Sequence, residues 1–292
     1  MAMDKLQEKI RKFKNPSMVD FTVVSDKIPP HILVEEGNEI RAYERICREL
    51  LDALKGIVPA ARFNMGKFSL LGPDGLFLMS RMTAYAKSLD YYVLLDAPEC
   101  LSRDAAEFSV KILFDANCLW QFDGLAVSDY AGSDVLKPYV EAAKSGGKDL
   151  FVVLRSANKS AAELQDLLTG SRLVHMAAAD IVYRFCESLT GRSGYSQIAA
   201  IGPATVADVL KKLRARYKRM FLLVDGYDYS NANAKNCSYA FDQLGHGAIV
   251  CAGSGITCAW DTEQANGAEF VACAVEAAER MKKNLTRYVT IL

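Results

Sequence analysis

Eight short runs of apolar, β-branched and aromatic residues recur along the chain, at 18–25, 60–65, 91–96, 125–130, 150–156, 198–203, 220–226 and 248–254. Consecutive apolar residues within them, as in Val93-Leu94-Leu95 and Phe221-Leu222-Leu223-Val224, suit strands covered on both faces, the condition of a parallel sheet. Between the runs lie amphipathic stretches at 39–55, 73–88, 103–114, 133–144, 161–168, 205–217, 231–244 and 265–283. Strict alternation of eight strands with eight helices predicts an α/β fold, a closed (β/α)8 TIM barrel. An open doubly wound sheet is the competing arrangement. It normally carries a Gly-rich phosphate loop after its first strand, and here the first run is followed by Asp26-Lys27-Ile28-Pro29-Pro30. A helix at about 4–14 is expected to close the bottom of the barrel, and 173–190 reads as an extra helix.

Length changes this picture little: 292 residues fit one barrel of ~250 residues with decorations, so residues 1–292 are read as a single domain. Thirty-five basic residues balance thirty-five acidic ones, so no net field recruits nucleic acid or an anionic membrane. The stretch 1–14 is too charged for a signal peptide, and no apolar run approaches the ~18 residues that span a bilayer. A cytoplasmic protein is expected. Eight scattered cysteines form no C-x-x-C pair, and His31, His175 and His246 are too few and too dispersed to complete a metal site. Neither metal nor cofactor is expected, and the thiols are read as reduced.

In such a barrel the chemistry sits where each strand stops. Those positions are polar: Thr22 and Ser25, Arg62 and Asn64, Asp96 and Glu99, Ser128 and Asp129, Arg155 and Ser156, then Asp225, Tyr227, Asp228 and Ser230, and finally Ser254. For any one of them the plain alternative is a strand end meeting water; together they make a rim rich in carboxylates. Gly253-Ser254-Gly255 lacks the full G-x-S-x-G of a nucleophile elbow. His175 falls in a helical stretch and His246 after a turn, both structural positions. The loop 226–233 could bind a polar ligand or cap the following helix through Ser230 or Asn231.

Several stretches match one family in order: Thr83-Ala84-Tyr85-Ala86-Lys87, Tyr130-Ala131-Gly132-Ser133-Asp134, Glu163-Leu164-Gln165-Asp166, Gly194-Tyr195-Ser196, Ala204-Thr205 and Cys258-Ala259-Trp260. On these the chain resembles the orotidine 5'-phosphate decarboxylases of the bacterial long-chain type over nearly its whole length. The resemblance implies a (β/α)8 barrel, decarboxylation of a pyrimidine nucleotide, and a dimer in which each subunit lends an aspartate to its neighbour.

The family's functional motifs are altered. Its V-K-P-Q-like stretch after strand two reads Ala61-Arg62-Phe63-Asn64, with Lys67 the alternative basic residue. Its D-x-K-x-x-D signature reads Asp96-Ala97-Pro98-Glu99-Cys100-Leu101. Asp96 remains, Pro98 stands at the proton-donating lysine and Leu101 at the lent aspartate, so the proton donor and the repelling charge are both missing. The G-L-D-P-like aspartate after strand one corresponds to Thr22, the phosphate loop reads Gly226-Tyr227-Asp228-Tyr229-Ser230-Asn231-Ala232, and the S-R pair reads Gly253-Ser254. A K-T-S-N-P stretch corresponds to Arg155-Ser156-Ala157-Asn158-Lys159. The resemblance thus implies a catalytically inert paralogue, a homodimer or a heterodimer with an active one. The alternatives are slow decarboxylation through Asp96, Arg62 and Glu99 or Arg103, or a repurposed pocket using Asp96, Asp129, Asp225 and Asp228 on a neutral or cationic ligand.

Overall fold

The computed structural model describes residues 1–22, 25–97, 100–262 and 267–292. Eight parallel strands close into a barrel: β1 (Ser17–Phe21), β2 (Ala60–Asn64), β3 (Tyr92–Asp96), β4 (Gly124–Ser128), β5 (Asp149–Val153), β6 (Ile198–Pro203), β7 (Leu222–Asp225) and β8 (Ala248–Ala252). Each strand pairs with its neighbours in chain order and β8 closes on β1. The (β/α)8 barrel expected from the alternation is therefore the fold. The long helices of the outer ring and floor are α1 (Ala2–Phe13), α2 (Pro30–Glu36), α3 (Glu39–Leu54), α4 (Gly72–Ser88), α5 (Arg103–Leu113), α6 (Ser133–Gly146), α7 (Val174–Cys186), α8 (Ala207–Arg216) and α9 (Phe270–Thr286).

Local sequence explains where the helices begin and which face they bury. Asn38 caps α3 by accepting from the Ile40 and Arg41 amides at 2.8 and 3.3 Å. Ala42, Tyr43, Ile46, Cys47, Leu50, Leu51 and Leu54 then line one buried face. Each fully buried leucine there contributes roughly 1.5–3 kcal/mol. Arg45 and Glu49 pair at 2.8 Å on the opposite, wetter face, an interaction worth a few tenths of a kcal/mol.

The barrel interior has an apolar lower part and an ionic upper one. The lower one is aromatic: Tyr92 meets Phe151 edge-on at 6.4 Å, Phe151 meets Phe221 at 6.3 Å, and Phe221 meets Tyr195 at 5.9 Å. Gly124 makes room for this layer, since a Cβ there would lie 2.5 Å from the Tyr92 hydroxyl. Beneath it α1 seals the floor with Met3, Leu6 and Ile10, all fully buried. Polar ties fix α1 to loops around the ring: Asp4 accepts from the Ser193 amide at 2.8 Å and Gln7 from the Gly247 amide at 3.0 Å. Lys9 pairs with Asp90.

Four elements depart from the sequence reading. The stretch 231–244 is helical only over Ala234–Ser238; Asn233 caps that turn, and Asp242 then gathers the Leu244 and His246 amides, each at 2.8 Å, into a tight loop. The helix expected at 161–168 shrinks to Ala162–Gln165, followed by a small hairpin of Leu168–Thr169 with Arg172–Leu173. Helix α2 lies where no helix is expected: Pro30 starts it and Gly37, at φ 62°, ends it in a left-handed cap. The last helix starts at Phe270 rather than 265. No helix among the described residues is long and apolar enough to cross a membrane.

Candidate functional site

Alternation along the strands aims Asp20, Arg62, Asn64, Asp96 and Asp225 at the C-terminal mouth of the barrel. A cavity of about 600 Å³ opens there, lined by Asp20, Thr22, Arg62, Asn64, Asp225 and Asp228 among others. A larger groove of about 830 Å³ runs between α5 and α6 on the outer wall. None of the residues lining it belongs to a strand, and charged residues of both signs line it.

Arg62 is the centre of the mouth. Only 9% exposed, it donates from Nη1 to Asp225 Oδ1 at 3.0 Å and from Nη2 to Asp96 Oδ2. Asn64, directly opposite Asp96 in the β2–β3 register, adds a bond to Asp96 Oδ2 at 2.7 Å. Burial works against the charged guanidinium, but Asp225, Asp96 and Asp20 outweigh it and hold Arg62 ionised. Asp20 pairs with Arg62 in the β1–β2 register. Its Oδ1 is buried without a hydrogen-bond partner. Burial pushes the Asp20 carboxyl up to about 6, helped by Asp225 and Asp96 and opposed by Arg62. Cys251 of β8 also borders the cavity, with burial first and Asp20 second raising its thiol far above the ordinary range.

At the far rim Asp228 leans onto the loop after β8. Its Oδ2 accepts from the Gly253 amide at 2.6 Å, and a Cβ at Gly255 would meet its Oδ1 at 2.3 Å. Although the residue as a whole is exposed, crowding around the carboxyl raises its pKa, and the Gly253 and Gly255 amides oppose the rise. Loops after the seventh and eighth barrel strands are a frequent phosphate-binding place in this fold. Here a carboxylate of the chain itself takes those amides. Behind Asp228 lies a second cavity of about 140 Å³, lined by Tyr227, Arg280 and Asn284 among others.

No family model matches the chain. Curated relatives do: it is 29% identical over 213 residues to the orotidine 5'-phosphate decarboxylase of Rhodopirellula baltica, covering 72% of this chain and 70% of that protein. It is 24% identical over 287 residues to the Petrotoga mobilis enzyme, covering 98% of both. The chain is a relative of the orotidine 5'-phosphate decarboxylases. Solved structures carry the same fold: one of an orotidine-monophosphate-decarboxylase from Toxoplasma gondii aligns with a TM-score of 0.79 at 18% identity over 98% of both chains. Another, from Plasmodium yoelii, reaches 0.82 at 13% identity over 99% of both.

Relative to the resemblance, the structure gathers some site residues and disperses others. Thr22, Arg62, Asn64, Asp225, Asp228 and Ser254 border the cavity, and Asp96 meets it through Arg62 and Asn64. Asp20 supplies the first-strand carboxylate, two positions before Thr22, whose backbone amide donates to the Asp20 carbonyl at 3.1 Å. Arg155 and Ser156 turn away: buried Arg155 clasps Asp166 with Nη2 to Oδ2 at 2.9 Å, and the Ser156 amide donates to Gln165 Oε1 at 2.8 Å. His175 joins that clasp, Nδ1 lying 3.0 Å from Asp166 Oδ1. Ser128 ends β4 and accepts weakly from the Tyr130 amide at 3.4 Å. Asp129, the next residue along the alternation, is buried with both oxygens unpartnered, and burial raises it to about 7. Tyr227 serves the inner cavity, Ser230 is exposed, and Leu101 is 82% exposed. Ser25 begins a short 3-10 turn at 25–27. Pro98 and Glu99 lie outside the described residues. Among the described residues no His, Cys, Asp and Glu cluster is placed to hold a metal.

Asp20 was legible only through period-two alternation: if Met18 faces inward, so does Asp20, while Thr22 lies past the end of β1. Lys67 and Lys27 also reach the cavity border. Lys27 is drawn to Asp261 at 2.6 Å.

Proposed function

We propose that this protein is an orotidine 5'-phosphate decarboxylase-like barrel that no longer decarboxylates orotidine 5'-phosphate and does not grip a phosphate dianion. The observation that carries the reading is Arg62 held between Asp96 and Asp225. Decarboxylation leaves a vinyl carbanion that needs a proton from a nearby acid. A guanidinium cannot be deprotonated near neutral pH, so Arg62 stabilises charge but delivers no proton. The position that carries the lysine in the resemblance is Pro98.

Asp228 supports the second half of the reading. An approaching phosphate meets a carboxylate already bonded to the Gly253 amide, and like charges at such a rim repel. The pocket therefore suits a neutral or cationic small molecule, for which the unpartnered Asp20 Oδ1 offers an acceptor. The protein works in the cytoplasm as a homodimer, or paired with an active paralogue whose site then receives Leu101 in place of a carboxylate; equal co-purification with a fully active decarboxylase argues against that mixed pairing.

The test is decarboxylation of orotidine 5'-phosphate by the purified protein, followed by absorbance, together with thermal-shift titration of uridine 5'-monophosphate. No turnover and no shift are expected. Turnover abolished by Asp96→Ala overturns the reading.

A further inference from the structure

At the opposite end of the barrel from the mouth, Asp149 begins β5 and faces the first turn of α1. It is fully buried. Its Oδ2 accepts from the Tyr92 hydroxyl at 2.8 Å, and its Oδ1 makes no hydrogen bond of good geometry. The Met3 amide of α1 faces the same carboxyl. Tyr92 is itself fixed inside the aromatic layer, against Phe151 and over Gly124. The ionisable groups around Asp149 are few. Tyr92 comes from β3, Asp123 from the loop before β4, where Lys87 holds it at 2.7 Å, and the Met1 ammonium from the start of α1. No cation bonds to Asp149 among the described residues.

An ionised carboxylate in that place has as its only facing cation the Met1 ammonium, which pairs with Asp4 at 3.5 Å, and lacks a full set of donors, while a neutral carboxyl fits. We infer that α1 is a pH-dependent closure of the barrel floor, held in place by the neutral carboxyl of Asp149. Lifting α1 lets water reach the carboxyl, so ionisation favours the open floor. Burial is the main cause that raises Asp149 to about 8, with the Tyr92 hydroxyl and the Met3 amide pulling the other way. Because the closed form binds the proton more tightly, closure is firmest in acid and weakens as pH rises from the ordinary 3.8 to about 8, then levels off. Opening of this kind is local, exposing the Met3, Leu6 and Ile10 face without unfolding the barrel.

Hydrogen exchange of the α1 amides in the full chain tests this, corrected for the intrinsic pH dependence of exchange. The opening constant is expected to rise roughly fifty-fold between pH 6 and 8, as linkage to one proton requires, and to flatten above that range. Asp149→Asn removes the rise. Tyr92→Phe, which deletes a donor that favours the ionised form, moves the flattening to higher pH. A flat wild-type profile, or an Asn variant with the same slope as wild type, overturns the proposal. If the Asn variant does not fold, the wild-type Asp149 carboxyl ¹³C resonance decides: titration in the ordinary aspartate range sinks it, and titration above neutrality supports it.

Discussion

Arg62 on β2 bonds Asp225 on β7 with Nη1 to Oδ1 at 3.0 Å, joining two walls of the barrel that share no strand pairing. The same guanidinium bonds Asp96, so one cation neutralises carboxylates from two sides. Removing it leaves Asp20, Asp96 and Asp225 crowded in a partly dry space. Arg62→Leu is expected to destabilise the protein by about 3 kcal/mol at neutral pH. Urea denaturation should show the loss shrinking in acid, where the carboxylates are protonated. A loss that is independent of pH would mean that packing of the long side chain, rather than its charge, is what matters.

Asp228 sets what the rim admits. Asp228→Gly removes the carboxylate from the Gly253 amide, and thermal shift should then respond to uridine 5'-monophosphate or to inorganic phosphate where the wild type does not. Asp228→Asn, which keeps the size and loses the charge, is expected to respond less than the glycine variant because its side chain still fills the space. Equal indifference of all three proteins would assign the exclusion to the missing arginine after β8 instead.

Asp20 makes stability depend on pH. Its carboxyl is raised from 3.8 to about 6 in the folded protein, so the folded form holds a proton that the unfolded chain has released. Stability from this group is full below pH ~4 and is lost as pH rises through about 6. Asp149 slopes the same way over a wider window, reaching about 8. Subtracting the Asp20→Asn urea curve from wild type should leave a difference that changes between these two Asp20 values and is constant above them.

Gly124 stands where a methyl group would lie 2.5 Å from the Tyr92 hydroxyl and 3.0 Å from the Phe151 ring. Gly124→Ala is expected to cost about 1–3 kcal/mol through overpacking. Tyr92→Phe in the same chain should recover part of it by removing the nearer atom. Additive losses in the double variant would place the strain at Phe151.

The eight strands were legible because parallel strands buried on both faces leave uninterrupted apolar runs, as at Phe221-Leu222-Leu223-Val224. Polar strand ends marked Arg62, Asp96 and Asp225 as mouth residues. What sequence could not reveal was orientation beyond the strand end. Arg155 has the composition of a ligand-binding residue, yet its guanidinium is satisfied by Asp166 eleven positions on, a pairing that depends on how the following loop folds back. The loop after β7 misled in the same way: Asn233 and Asp242 bind nearby amides and break the helical period that 231–244 suggests. Asp20 hid inside an apolar run, one polar residue among Met18, Val19 and Phe21.

The separation of the barrel interior into an aromatic lower layer and an ionic upper one bears on how such a chain can change over generations. Tyr92, Phe151, Phe221 and Tyr195 touch one another and hold the strands together from below, whatever stands at the rim. Substitutions among the polar residues above them can alter or abolish chemistry without disturbing that foundation. A lineage built this way can drift away from an ancestral reaction while its architecture stays intact, and the upper layer becomes the part on which a new ligand preference is written.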